Sequence, residues 1–152
     1  ADGVRVLAFS VDHSPVGVAL GYRVEYGGRV VAISGDTIDT AGLRALSANA
    51  DVLVAEVMNK SFVEETECAF ERLAESRLEK IFRDIRTYHI DVTELAQLAS
   101  DAEVDTLVMV HLVPTTSNPA QLDLAFRQPV SAIFNGELII PEDGAEFVIP
   151  VQ

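Results

Sequence analysis

The side chains that could do chemistry here are few: His13, His89 and His111, with Asp36 and Glu56. Imidazole nitrogen and carboxylate oxygen are ordinary zinc donors, and the same groups trade protons near neutral pH. Each of the five sits at the boundary of an element, not inside an apolar periodicity. His13 precedes a strand, Asp36 follows one, Glu56 and His111 end two others, and His89 lies between two helices ahead of a cap. In layered folds strand ends converge on one edge, where ligand sites form. A single boundary histidine is ordinarily a surface or hydrogen-bonded residue. The signal is that all three share this placement with Asp36 close by. No pair has the tight spacing of a helical zinc motif, so spacing alone carries little.

A hairpin must position the first pair. Val16 to Val24 and Arg29 to Ser34 are rich in β-formers, and Gly27-Gly28 supplies the positive φ of a tight turn. With its turn at the far end, the hairpin returns His13 and Asp36 side by side. Before it, Val4 to Asp12 reads as a strand. After it, Asp39 or Thr40 caps a short helix through Leu43 and Leu46 that Asn49 ends. Asp51 to Val57 is a buried strand reaching Glu56. Ser61 and Glu64 form a capping-box pattern for one long helix to about Arg86, with Phe70, Leu78 and Phe82 on its apolar face and a solvated charge run opposite. Asp91 and Glu94 repeat the pattern for a helix from Val92 to Ala102. The strand Glu103 to Leu112 delivers His111. A loop from Pro114 to Pro119, a short helix from Ala120 to Phe126 whose continuation Pro129 restricts, and strands Glu137 to Ile140 and Glu146 to Val151 around the turn Glu142-Asp143-Gly144 complete the chain.

Composition bounds the function. With 152 residues, 49% of them hydrophobic, the chain reads as one unit, 1-152, able to bury a core. A formal net charge of -13 argues against a polyphosphate-gripping surface, because phosphate neutralisation needs clustered Lys and Arg. Cys68 stands alone, so no internal disulfide or cysteine-rich zinc module forms. No apolar run reaches the length of a membrane-spanning helix. The expected setting is soluble, cytoplasmic or periplasmic. The start at Ala1 reads as that of a processed or excised piece.

His13 followed by PVGVALGYRV, SGDT at Ser34 to Thr37, DVLVAEV, YHIDVTELAQLA from Tyr88 and LVMVHLVP ending at Pro114 occur in order over nearly the whole chain. Together they resemble the C-terminal half of a metallo-β-lactamase-fold hydrolase, nearest to the ribonuclease Z and arylsulfatase-like branch. The resemblance implies an α+β class, one half of an αββα sandwich, with a mainly antiparallel or mixed sheet and helices on one outer face. It implies zinc, two ions in a complete site, whose chemistry is activation of water and stabilisation of charge on an ester. By position, His13 and His111 would each be a ligand to one metal, Asp36 would bridge the two, and His89 would be the catalytic acid at the leaving group. Glu56 matches an acidic position that steadies a ligand.

The departures shape the expectation. The family's upstream H-x-H-x-D-H cluster does not occur here, so a zinc site in this chain alone is partial or absent. The short run from Tyr22 to Asp36 leaves no room for a long RNA-gripping arm, which with the charge argues against nucleic acid. The expected substrates are phosphodiesters, sulfate esters or other esters, hydrolysed once the first half is supplied. The competing reading is a non-catalytic binding or assembly module with a relic metal site. Either way the strands read as apolar on both faces. One face should be covered by the helices led by Phe70, Leu78, Phe82, Leu95 and Leu98. The other should be covered by a complementary first half or by a second copy in a homodimer.

Overall fold

The computed structural model describes residues 3–151. Its centre is one six-stranded sheet in the order β1 to β6, in which sequence neighbours are sheet neighbours. The strands are β1 (Arg5–Val11), β2 (Ala19–Tyr26), β3 (Arg29–Ile33), β4 (Val52–Met58), β5 (Thr106–Val113) and β6 (Glu137–Ile139). The first three form an antiparallel meander, and β3 to β6 pair in parallel. The expected mixed sheet is therefore present. Only β2 runs against the rest, so β1, β3, β4 and β5 all end at the same edge.

The β2–β3 hairpin closes at the Tyr26–Arg29 pair with Gly27 and Gly28 at φ +54° and +77°, as a two-residue turn demands. Its first strand starts at Ala19, not Val16, because β1 pairing ends at Val11↔Ala19 and leaves Val16 and Val18 exposed. Thr40 caps α1 (Ala41–Ser47), accepting from the Leu43 N–H. A Cβ on Gly42 would sit 1.9 Å from the Ser10 carbonyl oxygen, so glycine lets α1 lie directly on β1. Leu43 and Leu46 of α1, Leu95, Leu98 and Ala99 of α4 (Val92–Asp101), and Phe126 bury against Leu53, Ala55, Val57, Leu107 and Met109. All the helices of the core thus cover one face, as expected.

The long helix is two. Asn59, not Ser61, caps α2 (Lys60–Arg72), and α3 runs Ser76–Ile85. Between them Ala74 takes φ +57° and Glu75 N–H reaches back to the Phe70 carbonyl, a helix-ending geometry that turns the chain. Neither helix covers the sheet as expected of Phe70, Leu78 and Phe82. Only Val63 of α2 is buried and nothing of α3 is. Phe70 and Phe82 instead pack on each other, ring centroids 5.4 Å apart. Arg86 bonds Glu64 and Glu67 across the pair, and Arg83 bonds Glu67 and Glu79. The charge run therefore laces the hairpin together.

Pro129 does not stop the next helix. Helix α5 (Pro119–Leu122) passes through a wider π-helical segment (Asp123–Arg127) into α6 (Gln128–Ser131), the wide turn accommodating a proline that lacks an N–H. Residues 146–151 form no regular strand either. They lie over the second sheet face, where Phe147 and Ile149 line a cleft with Val31, Val52, Val54 and Val108. Arg29 Nε donates to the Pro150 carbonyl at 2.7 Å. The β1–β3 part of that face stays open, with Val6, Leu20, Tyr22 and Ile33 all exposed. Among the described residues no helix is long and apolar enough to cross a membrane.

Candidate metal centre

Each side chain reaches the shared edge by a different device. His13 follows β1 through a turn in which Asp12 Oδ1 accepts from the Ser14 N–H at 2.9 Å and its hydroxyl at 2.7 Å. Those two bonds hold the Asp12 carboxyl below the usual carboxylate range. The His13 Nδ1 lies 2.9 Å from the Tyr88 carbonyl oxygen. A carbonyl only accepts, so Nδ1 carries the proton and Nε2 is free. Asp36 follows β3 one residue after Gly35, and its Oδ2 stands 3.9 Å from His13 Nε2. The hairpin thus returns the two side chains together.

His111 arrives by a bulge. Glu56 pairs with Val110 and Val57 with Leu112, so His111 is the extra residue of β5, at φ +44°. It lies inside the strand, not at its end. Its Nδ1 stands 3.2 Å from Asp36 Oδ1, the oxygen that His13 does not face.

His89 is carried by residues 88–91, which the main chain ties to the end of β4. Met58 N–H donates to the Ile90 carbonyl at 2.8 Å, and Ile90 N–H donates to Glu56 Oε1 at 3.2 Å. Glu56 Oε1 also accepts from the Thr37 N–H at 3.1 Å, while Oε2 is buried without a partner. His89 Nδ1 lies 3.1 Å from Glu56 Oε1, yet no aligned hydrogen bond forms there and Nδ1 is buried unpaired. The three imidazoles form a row, with centroids 5.1 Å apart for His13–His89 and 5.4 Å for His89–His111. Burial first, and the charge of Asp84 second, push the neighbouring Tyr88 phenol up.

All five singled-out residues therefore meet at one edge. Donor atoms of His13, Asp36 and His89 lie within 4.8 Å of one another, and so do those of Glu56, His89 and His111. Such a set of imidazole and carboxylate donors fits a zinc ion. Sequence reasoning passed over Ser34 and Thr37, both buried. Ser34 Oγ accepts from the Glu56 N–H, and Thr37 Oγ1 accepts from the Asp12 N–H, which ties β1, β3 and β4 together beneath the site. The signal was the polar run SGDT directly after an apolar strand. Thr115 lines the cleft that opens at His111, whereas Ser14 is spent on Asp12.

A mixed sheet with helices on one face and histidines and a carboxylate gathered at one edge matches half of a metallo-β-lactamase fold. Solved structures agree. The metallo-beta-lactamase fold protein YhfI from Bacillus subtilis superposes with a TM-score of 0.66 over 95% of this chain and 48% of that one, at 20% identity. The human short-form tRNase Z gives 0.61 over 99% and 44%, at 19% identity. Zinc-bound PqqB from Methylobacterium extorquens gives 0.57 over 96% and 50%, at 18% identity.

The chain is a partial metallo-β-lactamase-fold protein of the ribonuclease Z-like kind. It is 42% identical over 113 residues to ribonuclease Z of Mycolicibacterium paratuberculosis, covering 74% of this chain and 36% of that one. It is 35% identical over 142 residues to a putative ribonuclease Z of Mycobacterium tuberculosis, covering 93% and 58%. The chain thus spans about half the length of the curated relatives it matches. No family model matches it. These relatives carry ribonuclease names, so they lend no support to the arylsulfatase-like, sulfate-ester or non-catalytic readings. They also run against the expectation of no nucleic acid. The physical reason is that the charge of one half says nothing of the surface a whole protein offers to RNA.

Proposed function

We propose that this chain is the C-terminal half of a ribonuclease Z-like phosphodiesterase and supplies one side of its metal centre together with its general acid. The observation that carries the reading is Asp36, which turns Oδ2 toward His13 and Oδ1 toward His111. A carboxylate divided in this way suits a bridge between two ions, with His13 on one and His111 on the other. Zinc, when bound, supplies Lewis acidity toward a phosphoryl oxygen and an activated water. The chain's own residues supply the remainder. The Tyr88 carbonyl fixes the His13 tautomer, a common way of orienting a ligating imidazole. His89, buried beside Glu56, donates the proton to the leaving oxygen.

The substrate class follows the relatives: an RNA phosphodiester, cleaved by the assembled fold. The -13 charge of this half leaves phosphate binding to the metal centre and to the surface of the other half. The test is hydrolysis of bis-p-nitrophenyl phosphate with zinc or manganese. The chain alone is expected to give no turnover above background, and a separately supplied half bearing H-x-H-x-D-H should restore it. Metal-dependent turnover by the chain alone would sink the half-site reading.

A further inference from the structure

We infer that this chain on its own binds one divalent ion through His13, Asp36 and His89, so that the proposed acid becomes a ligand. The inference rests on the metal-centre reading above. It starts from which donors can share an ion. His13, Asp36 and His111 do not form a three-donor cluster among the described residues, although Asp36 turns one oxygen toward each imidazole. His89 belongs to both clusters that do form.

Three details favour the cluster with His13 and Asp36. His13 is already set as a ligand, its Nδ1 proton given to the Tyr88 carbonyl and its Nε2 facing Asp36. His89 is 8% exposed and its Nδ1 makes no hydrogen bond, a costly state for a buried imidazole. Glu56 Oε1 stands 3.1 Å from that nitrogen without an aligned bond, and a small rotation that let Nδ1 donate to it would leave Nε2 for an ion, a recurrent carboxylate–histidine arrangement. In tetrahedral zinc sites donors stand about 3.3 Å apart, given bonds of about 2.0 Å, so donors already within 4.8 Å close by small side-chain shifts. The Asp36 side chain is 43% exposed, which leaves a side of the ion open to water. Glu56 keeps Oε1 on the Thr37 and Ile90 N–H groups, and its unpartnered Oε2 is buried, so an ion there would have less access to water than one on Asp36. A His89 that ligates the ion cannot also deliver a proton, so the lone half holds metal without holding an acid. Supplying the missing ligands would release His89.

The experiment is calorimetric titration of the chain with zinc, paralleled by cobalt(II) absorption. One ion per chain is expected. His13→Ala and His89→Ala should each weaken binding by about 100-fold or more, more than loss of a merely supporting group. His111→Ala should weaken binding less than either, because His111 touches only the Asp36 oxygen turned away from His13. Replacing buried His89 puts the fold at risk, so imidazole 15N spectra of the unaltered chain give an independent reading. Zinc should shift the His13 and His89 ring nitrogens and leave those of His111 in place. If His111 shifts while His89 does not, or if Glu56→Gln abolishes binding and His13→Ala does not, the inference fails and the metal centre stands. If neither ion binds saturably, the inference fails while the metal-centre reading, which draws on ligands of the other half, stands.

Discussion

His111 is placed at the site by backbone strain. A non-glycine residue at φ +44° inside a strand costs about 1–2 kcal/mol, and the bulge opposite Glu56 and Val57 imposes it. Glycine relieves that cost. His111→Gly should therefore melt no lower than His111→Ala, and thermal unfolding by circular dichroism compares them directly; a markedly lower midpoint for the glycine variant would mean the backbone is at ease there. Sequence reasoning found the residue but not this device, because a bulge leaves no mark in an apolar run such as LVMVHLV. The pairing of His13 with Asp36 was legible from the Gly-Gly turn, which brings a hairpin's ends together even though its first strand starts later than expected. His89 was legible only as a boundary residue. Its closeness to Glu56 depends on bonds between distant segments, the main-chain bond from Met58 to Ile90 and the Ile90 N–H on the Glu56 carboxylate, which no local pattern encodes.

At the scale of elements, periodicity found the helical stretches but merged two helices into one and misjudged what they cover. The apolar stripe of residues 60–85 has the spacing of a core-facing helix. Two helices packed on each other satisfy the same stripe, and only the left-handed residue at Ala74 decides between them. Helix propensity does not reveal it, because alanine is the best helix former. With Val63 its only buried residue, this hairpin has little to hold it to the sheet. Its amides from 64 to 85 should exchange with solvent well before those of β4, β5 and α4, whose residues fill the core. Exchange mass spectrometry reads this peptide by peptide. Equal protection in both regions would show that the surface ion pairs of Arg83 and Arg86 stabilise far more than such pairs ordinarily do. The closing segment was misread for a related reason: Glu146 to Val151 alternates like a strand, yet it crosses the sheet face instead of joining its edge.

For the whole molecule, pH and assembly are the informative variables. Burial pushes the Asp51 carboxyl up, but Arg29, bonded at 2.6 Å, and the Val30 N–H outweigh it and hold the group below its usual range. A depressed carboxyl contributes stability that is complete above its unfolded value, about 4, and lost as pH falls through the folded value. Asp51→Asn should lower stability at neutral pH and flatten the acid limb of the melting profile below about pH 4. An unchanged acid limb would place the linkage elsewhere. Arg29 also binds the Pro150 carbonyl, so the same corner fastens the closing segment over the β4–β6 side of the open face.

That segment leaves Val6, Leu20, Tyr22 and Ile33 in water, with Val6 58% exposed. Cross-strand register puts them on one surface: Val6 lies opposite Val24, and Tyr22 lies between Ala8 and Ile33. A contiguous apolar patch of a few hundred Å² represents roughly 10 kcal/mol of driving force at about 25 cal/mol per Å², before association costs. We propose that the first half of the fold covers it, and that a second copy does so when that half is missing. Adding a first half bearing H-x-H-x-D-H should then convert a self-associated chain into a one-to-one complex and raise zinc from one ion to two per complex. Light scattering with metal analysis reads both changes. Tyr22→Asp should block both together, because it charges the patch and leaves every metal-binding residue in place. A Tyr22→Asp chain that still pairs with the first half and takes up the second ion would show that the open face is not where the halves meet.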